Sequence, residues 1–232
     1  MMTRWYFFIS ILLTTAGFAQ DVSEVRGYTE IDSLYREDQF YFGLTYNVLQ
    51  QRPTDLRQNK VSLGFSLGFL RDMPINEKRT FSIAAGLGYS LSTFNDNLQI
   101  TGLGPRPEYH LITSGTAYDQ NKIILNYVDL PVEIRWRTST PDSHRFWRIY
   151  TGFKASYLFY DIYKFRGSEA SYKISNNPDL SPWQFGTYLA VGYNTWYFHI
   201  YYGLNPLFKS AELEGEKIRM HALNLGLMFY VL

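Results

Sequence analysis

The sequence predicts an all-β fold: an eight-stranded antiparallel up-and-down transmembrane β-barrel preceded by a signal peptide. Three observations predict it. Apolar residues recur with a period of two from Gln39 onward, the alternating runs are longer than the strands of soluble sheets, and the connections between them alternate long and short.

Composition removes several other classes. The chain has 232 residues, a net charge of +1 and no cysteine, so nothing suggests a nucleic-acid partner, and disulfides and thiolate metal sites are excluded. Aromatic residues are abundant, with 20 Tyr and 17 Phe. No run beyond the N-terminus reaches the roughly 18 apolar residues that a membrane helix needs, which excludes a helical bundle in the bilayer.

The elements follow in order. Arg4 supplies a positive start, "WYFFISILL" (Trp5 to Leu13) is an apolar stretch too short to span as a helix, and Gly17 and Ala19 hold the −3 and −1 positions of a cleavage site. Residues 1–19 therefore read as a signal peptide and 20–38 as a short, polar periplasmic leader. Eight strands fill residues 39–232: 39–50, 61–70, 80–93, 122–137, 146–160, 183–194, 196–208 and 218–232. At about 3.3 Å per residue and a tilt near 45°, about 11 residues cover roughly 25 Å, the height of the apolar band of an outer-membrane barrel. Connections 51–59, 94–121, 161–182 and 209–217 are long or polar, whereas 71–79, 138–145 and the turn at Thr195 are short. Such asymmetry belongs to barrels with long outer loops and short periplasmic turns, and an even strand number places both termini in the periplasm.

The second strand, "VSLGFSLGFL", sets Val61, Leu63, Phe65, Leu67 and Phe69 against Ser62, Gly64, Ser66 and Gly68. The third repeats the pattern with Gly86 and Gly88 on its small face. Glycine weakens an ordinary strand. Inside a narrow barrel, the small-residue face of Gly64, Gly68, Gly86 and Gly88 leaves room for large groups from the opposite wall. The fourth strand offers Leu125, Tyr127, Asp129, Glu133 and Arg135 on one face, and the fifth offers Arg148, Tyr150 and Lys154. In one register the short turn between them sets Asp129 opposite Lys154, with Glu133 diagonally between Arg135 and Arg148; a register shifted by two changes the partners but keeps a carboxylate–cation mesh. Asp129, Glu133, Arg135, Arg148 and Lys154 are the expected lumen polar network, because buried charges must be paired.

Catalytic and metal signals are absent. His110, His144, His199 and His221 are scattered without ligand spacing, and His110 with Ser114 lacks a third partner. "GLGYS" (86–90) lies mid-strand without nucleophile-elbow spacing, and "TGLGP" (101–105) lacks the Lys-Ser/Thr of a phosphate loop. The expectation is no enzyme and no cofactor. Tyr46, Trp136, Trp147, Trp183, Trp196 and Tyr197 gather near strand ends as an aromatic girdle at headgroup level.

Several stretches resemble a known family. "YVDLPVEIRWRTSTP" (127–141) is similar to the Y-x-x-[IL]-P-x-x-[LIV]-[KR] strand of PorT-type outer-membrane β-barrels of Bacteroidetes, and "FWRIYTGFKASYLF" (146–159) resembles the strand that follows it there. "REDQFYFGLTYNVL" (36–49), "FLRDMPIN" (69–76) and "FHIYYGLNPLF" (198–208) resemble flavobacterial members. The resemblance implies an outer-membrane barrel, in contact with membrane lipid and with proteins of a secretion or assembly machine, and named for a component of type IX secretion. It carries no catalytic residues. Beside an accessory or scaffold role, a small porin or channel and a tether binding partners through loop 94–121 stay open.

Overall fold

The computed structural model describes residues 38–102, 106–113, 116–138, 147–168, 170–193 and 195–231. The expected signal peptide and all of the leader but Asp38 lie outside the described residues, as does His144.

Eight strands close on themselves. In chain order they are β1 (Gln39–Gln50), β2 (Leu63–Pro74), β3 (Phe81–Asn95), β6 (Tyr118–Arg137), β7 (Trp147–Gly167), β9 (Trp183–Tyr193), β10 (Trp196–Gly203) and β13 (His221–Val231). Each pairs antiparallel with the next, and β13 pairs with β1, so no edge is left along the barrel wall. Short strands decorate one end: β4 (Leu98–Thr101) with β5 (Glu108–Leu111), β8 (Ser171–Ser175) on β7, and β11 (Glu212–Leu213) with β12 (Glu216–Lys217). We call this the long-loop end and the other the short-turn end.

The period-two pattern sorts side chains by face. Phe40, Leu63, Leu87, Val132, Ile134 and Phe198 are exposed on the outer wall. A continuous apolar surface of this extent does not persist in water. It fits hydrocarbon.

Several strands exceed their expected bounds. β2 continues to Pro74, β6 begins at Tyr118 and β7 runs to Gly167, so parts of the expected loops 71–79, 94–121 and 161–182 are strand. The upper halves of β6 and β7, with β8, form a sheet standing beyond the apolar belt. β10 stops at Gly203, short of the expected 208, because Pro206 lacks the N–H that a ladder requires. Pro131 has a similar local effect within the barrel. The β3–β6 ladder is interrupted at Gly86 and Leu87 and resumes at Gly88 opposite Asp129.

Two cores fill the interior. Toward the short-turn end Tyr41, Leu70, Ala84, Tyr150, Tyr197 and Tyr230 cluster. Toward the long-loop end a larger cluster, including Leu49, Phe94, Ile100, Ile123, Tyr163 and Phe208, joins the barrel mouth to the decorating strands.

Candidate functional site

Charge is concentrated inside the barrel, and the strand phases put it there. On β6 every odd residue from Tyr127 to Arg137 is buried, so Asp129, Glu133, Arg135 and Arg137 share one inward row. Arg135 Nε donates to Glu133 Oε2 at 2.8 Å, and Arg135 Nη1 lies 3.2 Å from Asp72 Oδ1. Arg137 Nη1 donates to Asp72 Oδ2 at 3.0 Å, and Ser82 Oγ donates to Asp72 Oδ1 at 2.6 Å. Glu133 Oε1 accepts from the hydroxyls of Tyr188 (2.9 Å) and Tyr230 (3.2 Å). The guanidinium carbon of Arg135 sits 4.8 Å from the centre of the Tyr150 ring. Charges buried without such partners would each cost several kcal/mol, roughly, after relaxation. Here two carboxylates and two guanidiniums share neighbours, and the phenols supply further hydrogen bonds and ring faces.

Asp72, outside the expected polar network, is its hub. It falls within the connection expected at 71–79, but β2 carries it into the barrel, where it is fully buried. The signal was present: Asp72 continues the even-numbered phase of Gly64, Ser66 and Gly68 on β2. Arg137 continues the phase of Glu133 and Arg135 in the same way. The phenols of Tyr41, Tyr188 and Tyr230 were also not anticipated.

Above this mesh, Lys154 Nζ lies 3.1 Å from Asp129 Oδ2 and 4.7 Å from the centre of the Tyr201 ring. Of the two registers that the sequence leaves open, the strands adopt the one shifted by two residues. Asp129 stands opposite Ser156 and Lys154 opposite Pro131, so the ion pair is diagonal. Glu133 likewise stands opposite Gly152, and Arg148 opposite Arg137. Glu133 pairs with Arg135 on its own strand, while Arg148 is buried at the short-turn end. A cavity of about 50 Å³ between the two levels is lined by Glu133, Lys154, His199, Asn224 and Tyr230. That volume holds a few waters and no larger solute.

The small-residue face lies where the large groups need it. A Cβ on Gly68 would come within 2.6 Å of the Tyr41 ring, and one on Gly88 would collide with the Tyr41 hydroxyl. Gly64 abuts Thr45 and Asn47, whereas Gly86 abuts the backbone of Phe69 and Leu70. In the girdle, Trp147, Trp183, Trp196 and Tyr46 are exposed on the outer wall. Tyr197 is not: it is fully buried and packs on Tyr150 and Tyr230. The reason is strand phase, since Trp196 faces out and its neighbour must face in.

The long-loop end is closed by its own hydrogen-bonded cap. Asn121 Nδ2 donates to the carbonyls of Asp96 (2.8 Å) and Leu98 (3.0 Å), tying β6 to the β3–β4 connection. Asp96 Oδ1 accepts from the Leu98 amide at 3.0 Å, and burial pushes the Asp96 carboxyl up to about 7. Tyr109 Oη donates to Asp179 Oδ2 at 3.0 Å, joining the β4–β5 hairpin to the segment after β8. His110 lies beside Glu108 at 3.7 Å on the cap surface, and both are exposed. Among the described residues no three His, Cys, Asp or Glu side chains converge as a metal site.

Comparison with known proteins places the chain. Among solved structures it is similar to Ail, the attachment invasion locus protein of Yersinia pestis, with 13% identity and a TM-score of 0.36 over 84% of this chain and 97% of that one. A second Ail structure, in complex with the heparin analogue sucrose octasulfate, gives 12% identity and a TM-score of 0.38 over 84% and 99%. No curated protein matches the chain. The family described as "outer membrane protein beta-barrel domain" matches residues 18–209, most of the chain and most of the barrel, and the protein belongs to that family.

Proposed function

We propose that this protein is a non-enzymatic outer-membrane scaffold, a closed barrel that anchors a structured cap and serves as an accessory component of protein secretion or outer-membrane assembly. The observation that carries the reading is the Asp72–Arg135–Arg137–Glu133 mesh, packed against Tyr150 and Tyr230, which occupies the cross-section that a solute would need. A barrel so filled does not transport. Its remaining exposed feature is the cap, where loops carry recognition. The resemblance of 127–141 and 146–159 to PorT-type barrels of Bacteroidetes supports a place beside a type IX-like secretion machine.

In this reading the signal peptide is removed after Ala19, residues 20–38 and both termini lie in the periplasm, and the cap faces the exterior. The asymmetry between short turns and decorated loops supports that orientation. A structural tether is the second reading. It draws on the same cap, built from the β4–β5 hairpin and the standing β6–β7–β8 sheet.

The test is affinity purification of the tagged, full-length protein from detergent-solubilised outer membrane after crosslinking, with mass spectrometry of the partners. Stoichiometric secretion or assembly subunits support the scaffold. Recovery of the barrel alone removes the scaffold reading and favours the tether. Conductance of the purified barrel in planar bilayers is the companion measurement. Discrete steps from the wild-type protein would overturn the closed-lumen premise of both.

A further inference from the structure

Lys122, Lys164 and Lys173 stand in one row across three strands. Lys122 on β6 is directly opposite Lys164 on β7, and Lys164 is directly opposite Lys173 on β8. Directly opposed side chains leave their strands roughly 5 Å apart at Cβ, and like charges so placed repel. Arg166, two residues beyond Lys164 on the same face, adds a fourth cation opposite Gln120 and Ser171. The alternation turns all four outward, because Ile123, Tyr163 and Phe165 between them are buried in the cap core. Among the described residues none of the four forms an ion pair. Like charges in direct opposition weaken strand pairing, so the row is not explained by what it contributes to the sheet.

Its height above the belt is informative. Along the outer face of β7, exposed Tyr157, Phe159 and Tyr160 give way to Ile162 and then Lys164. Along β6, exposed Val128 gives way to Asn126, Ile124 and then Lys122. Four residues beyond Tyr160, at about 3.3 Å each and a tilt near 45°, raise the row roughly 10 Å above the last lipid-facing ring. The headgroup layer extends roughly 5–8 Å beyond the hydrocarbon, and lysine stems from a row at this height reach down to its outer edge. The row lies on the outer wall, continuous with the lipid-facing surface, and not on the summit of the cap.

The geometry points to an anionic-lipid site: Lys122, Lys164 and Lys173, with Arg166, bind the phosphate groups of membrane lipid headgroups in the leaflet at the long-loop end. Bound phosphates convert the repulsion within the row into attraction. The site stands whether or not the barrel serves secretion.

The test compares the purified full-length barrel with its K122Q/K164Q/K173Q variant by native mass spectrometry. The probes are phosphatidylglycerol, a bisphosphorylated glycolipid, phosphatidylcholine and inorganic phosphate. The wild-type protein is expected to retain the two anionic lipids selectively and to lose about fivefold in affinity for each lysine removed. Thermal unfolding supplies a signature that a merely structural row would not give. In phosphatidylcholine nanodiscs the variant melts at or above the wild-type temperature, because repulsion is relieved, and in phosphatidylglycerol nanodiscs the order reverses. Equal lipid retention by both proteins, or the same melting order in both lipids, overturns the proposal. Inorganic phosphate or a sulfated oligosaccharide binding as tightly as the headgroup would assign the row to soluble anions and overturn the lipid source. The single variant K164Q, which removes the central charge, serves if the triple variant does not fold.

Discussion

The phenol of Tyr41, on β1, lies against Gly88, on β3, two strands away. Gly68 on β2 stands between them in the same row, and Asp129 on β6 follows. Two successive glycines thus form the bed on which one large ring crosses the lumen. The glycine face of β2 and β3 is not slack in the structure. It is the space that Tyr41 fills.

Filling that space should therefore cost stability. Gly88→Leu is expected to displace Tyr41 and destabilise the barrel by about 1–3 kcal/mol, the usual range for overpacking. Urea unfolding in detergent micelles, followed by heat-modifiable mobility, measures it. The double variant with Tyr41→Ala should recover part of the loss. Gly86→Arg should be worse than either, since a Cβ there meets the backbone of Phe69 and Leu70, which cannot swing aside. If Gly88→Leu unfolds like the wild-type barrel, the packing account of the glycine face fails.

Removing the hub of the ion mesh should be more damaging. Asp72 accepts from Arg135, Arg137 and Ser82, all buried. Asp72→Ala leaves two guanidiniums without their shared carboxylate, which typically costs about 3–5 kcal/mol. Asp72→Asn keeps the volume and one acceptor oxygen and should fall between. Equilibrium unfolding of the two variants ranks them, and an Asp72→Ala barrel as stable as the wild type would remove Asp72 from the centre of the network.

The outer wall makes the opposite demand. Leu63→Ala trims an exposed apolar side chain that faces hydrocarbon, and its effect should be small. Leu130→Arg, on the same kind of surface, should cost about 2–4 kcal/mol if Leu130 lies near the midplane. Measuring both in vesicles of defined thickness separates loss of packing from transfer of a charge. Tolerance of Leu130→Arg would contradict the placement of the belt.

Cap stability should depend on pH through Asp96. Its folded carboxyl is pushed up to about 7 by burial, against an ordinary value near 4. The folded cap therefore binds a proton that the opened cap releases between those values. The sign follows: its contribution is undiminished below about pH 4, falls as pH rises, and is fully lost above about pH 7, by at most a few kcal/mol. Hydrogen exchange at Leu98 and Asn121 should be more protected at pH 5.5 than at pH 8, after correction for intrinsic rates. Asp96→Asn should flatten that difference, and an unchanged slope in the variant would exclude Asp96 as its source.

The alternation of Leu63, Phe65 and Leu67 with Gly64, Ser66 and Gly68 sufficed to read strand identity, strand number and the inward sense of Asp129, Glu133, Arg135 and Lys154. Period two is a property of the extended backbone itself, and lipid and lumen impose opposite polarities on its two faces. Strand ends were less legible. Arg71 and Asp72 are polar enough for a solvent-facing turn, yet β2 runs on through them and turns Asp72 to the lumen. Tyr197 sits beside Trp196 in sequence, but neighbours on a strand point to opposite sides, so only Trp196 joins the girdle.

By itself the sequence determined an eight-stranded antiparallel barrel with an apolar wall, a charged lumen and a glycine bed, because each of these depends on residue type and local phase. Only the tertiary structure decided which residues meet. The β6–β7 register makes the Asp129–Lys154 pair diagonal. The β2–β3–β6 registers set Asp72 across Ala84 from Glu133 and within diagonal reach of Arg135, and the upward extension of β6 and β7 aligns Lys122 with Lys164 and Lys173. These contacts join segments up to 63 residues apart along the chain, and they depend on how neighbouring strands stagger against one another, which no local pattern encodes.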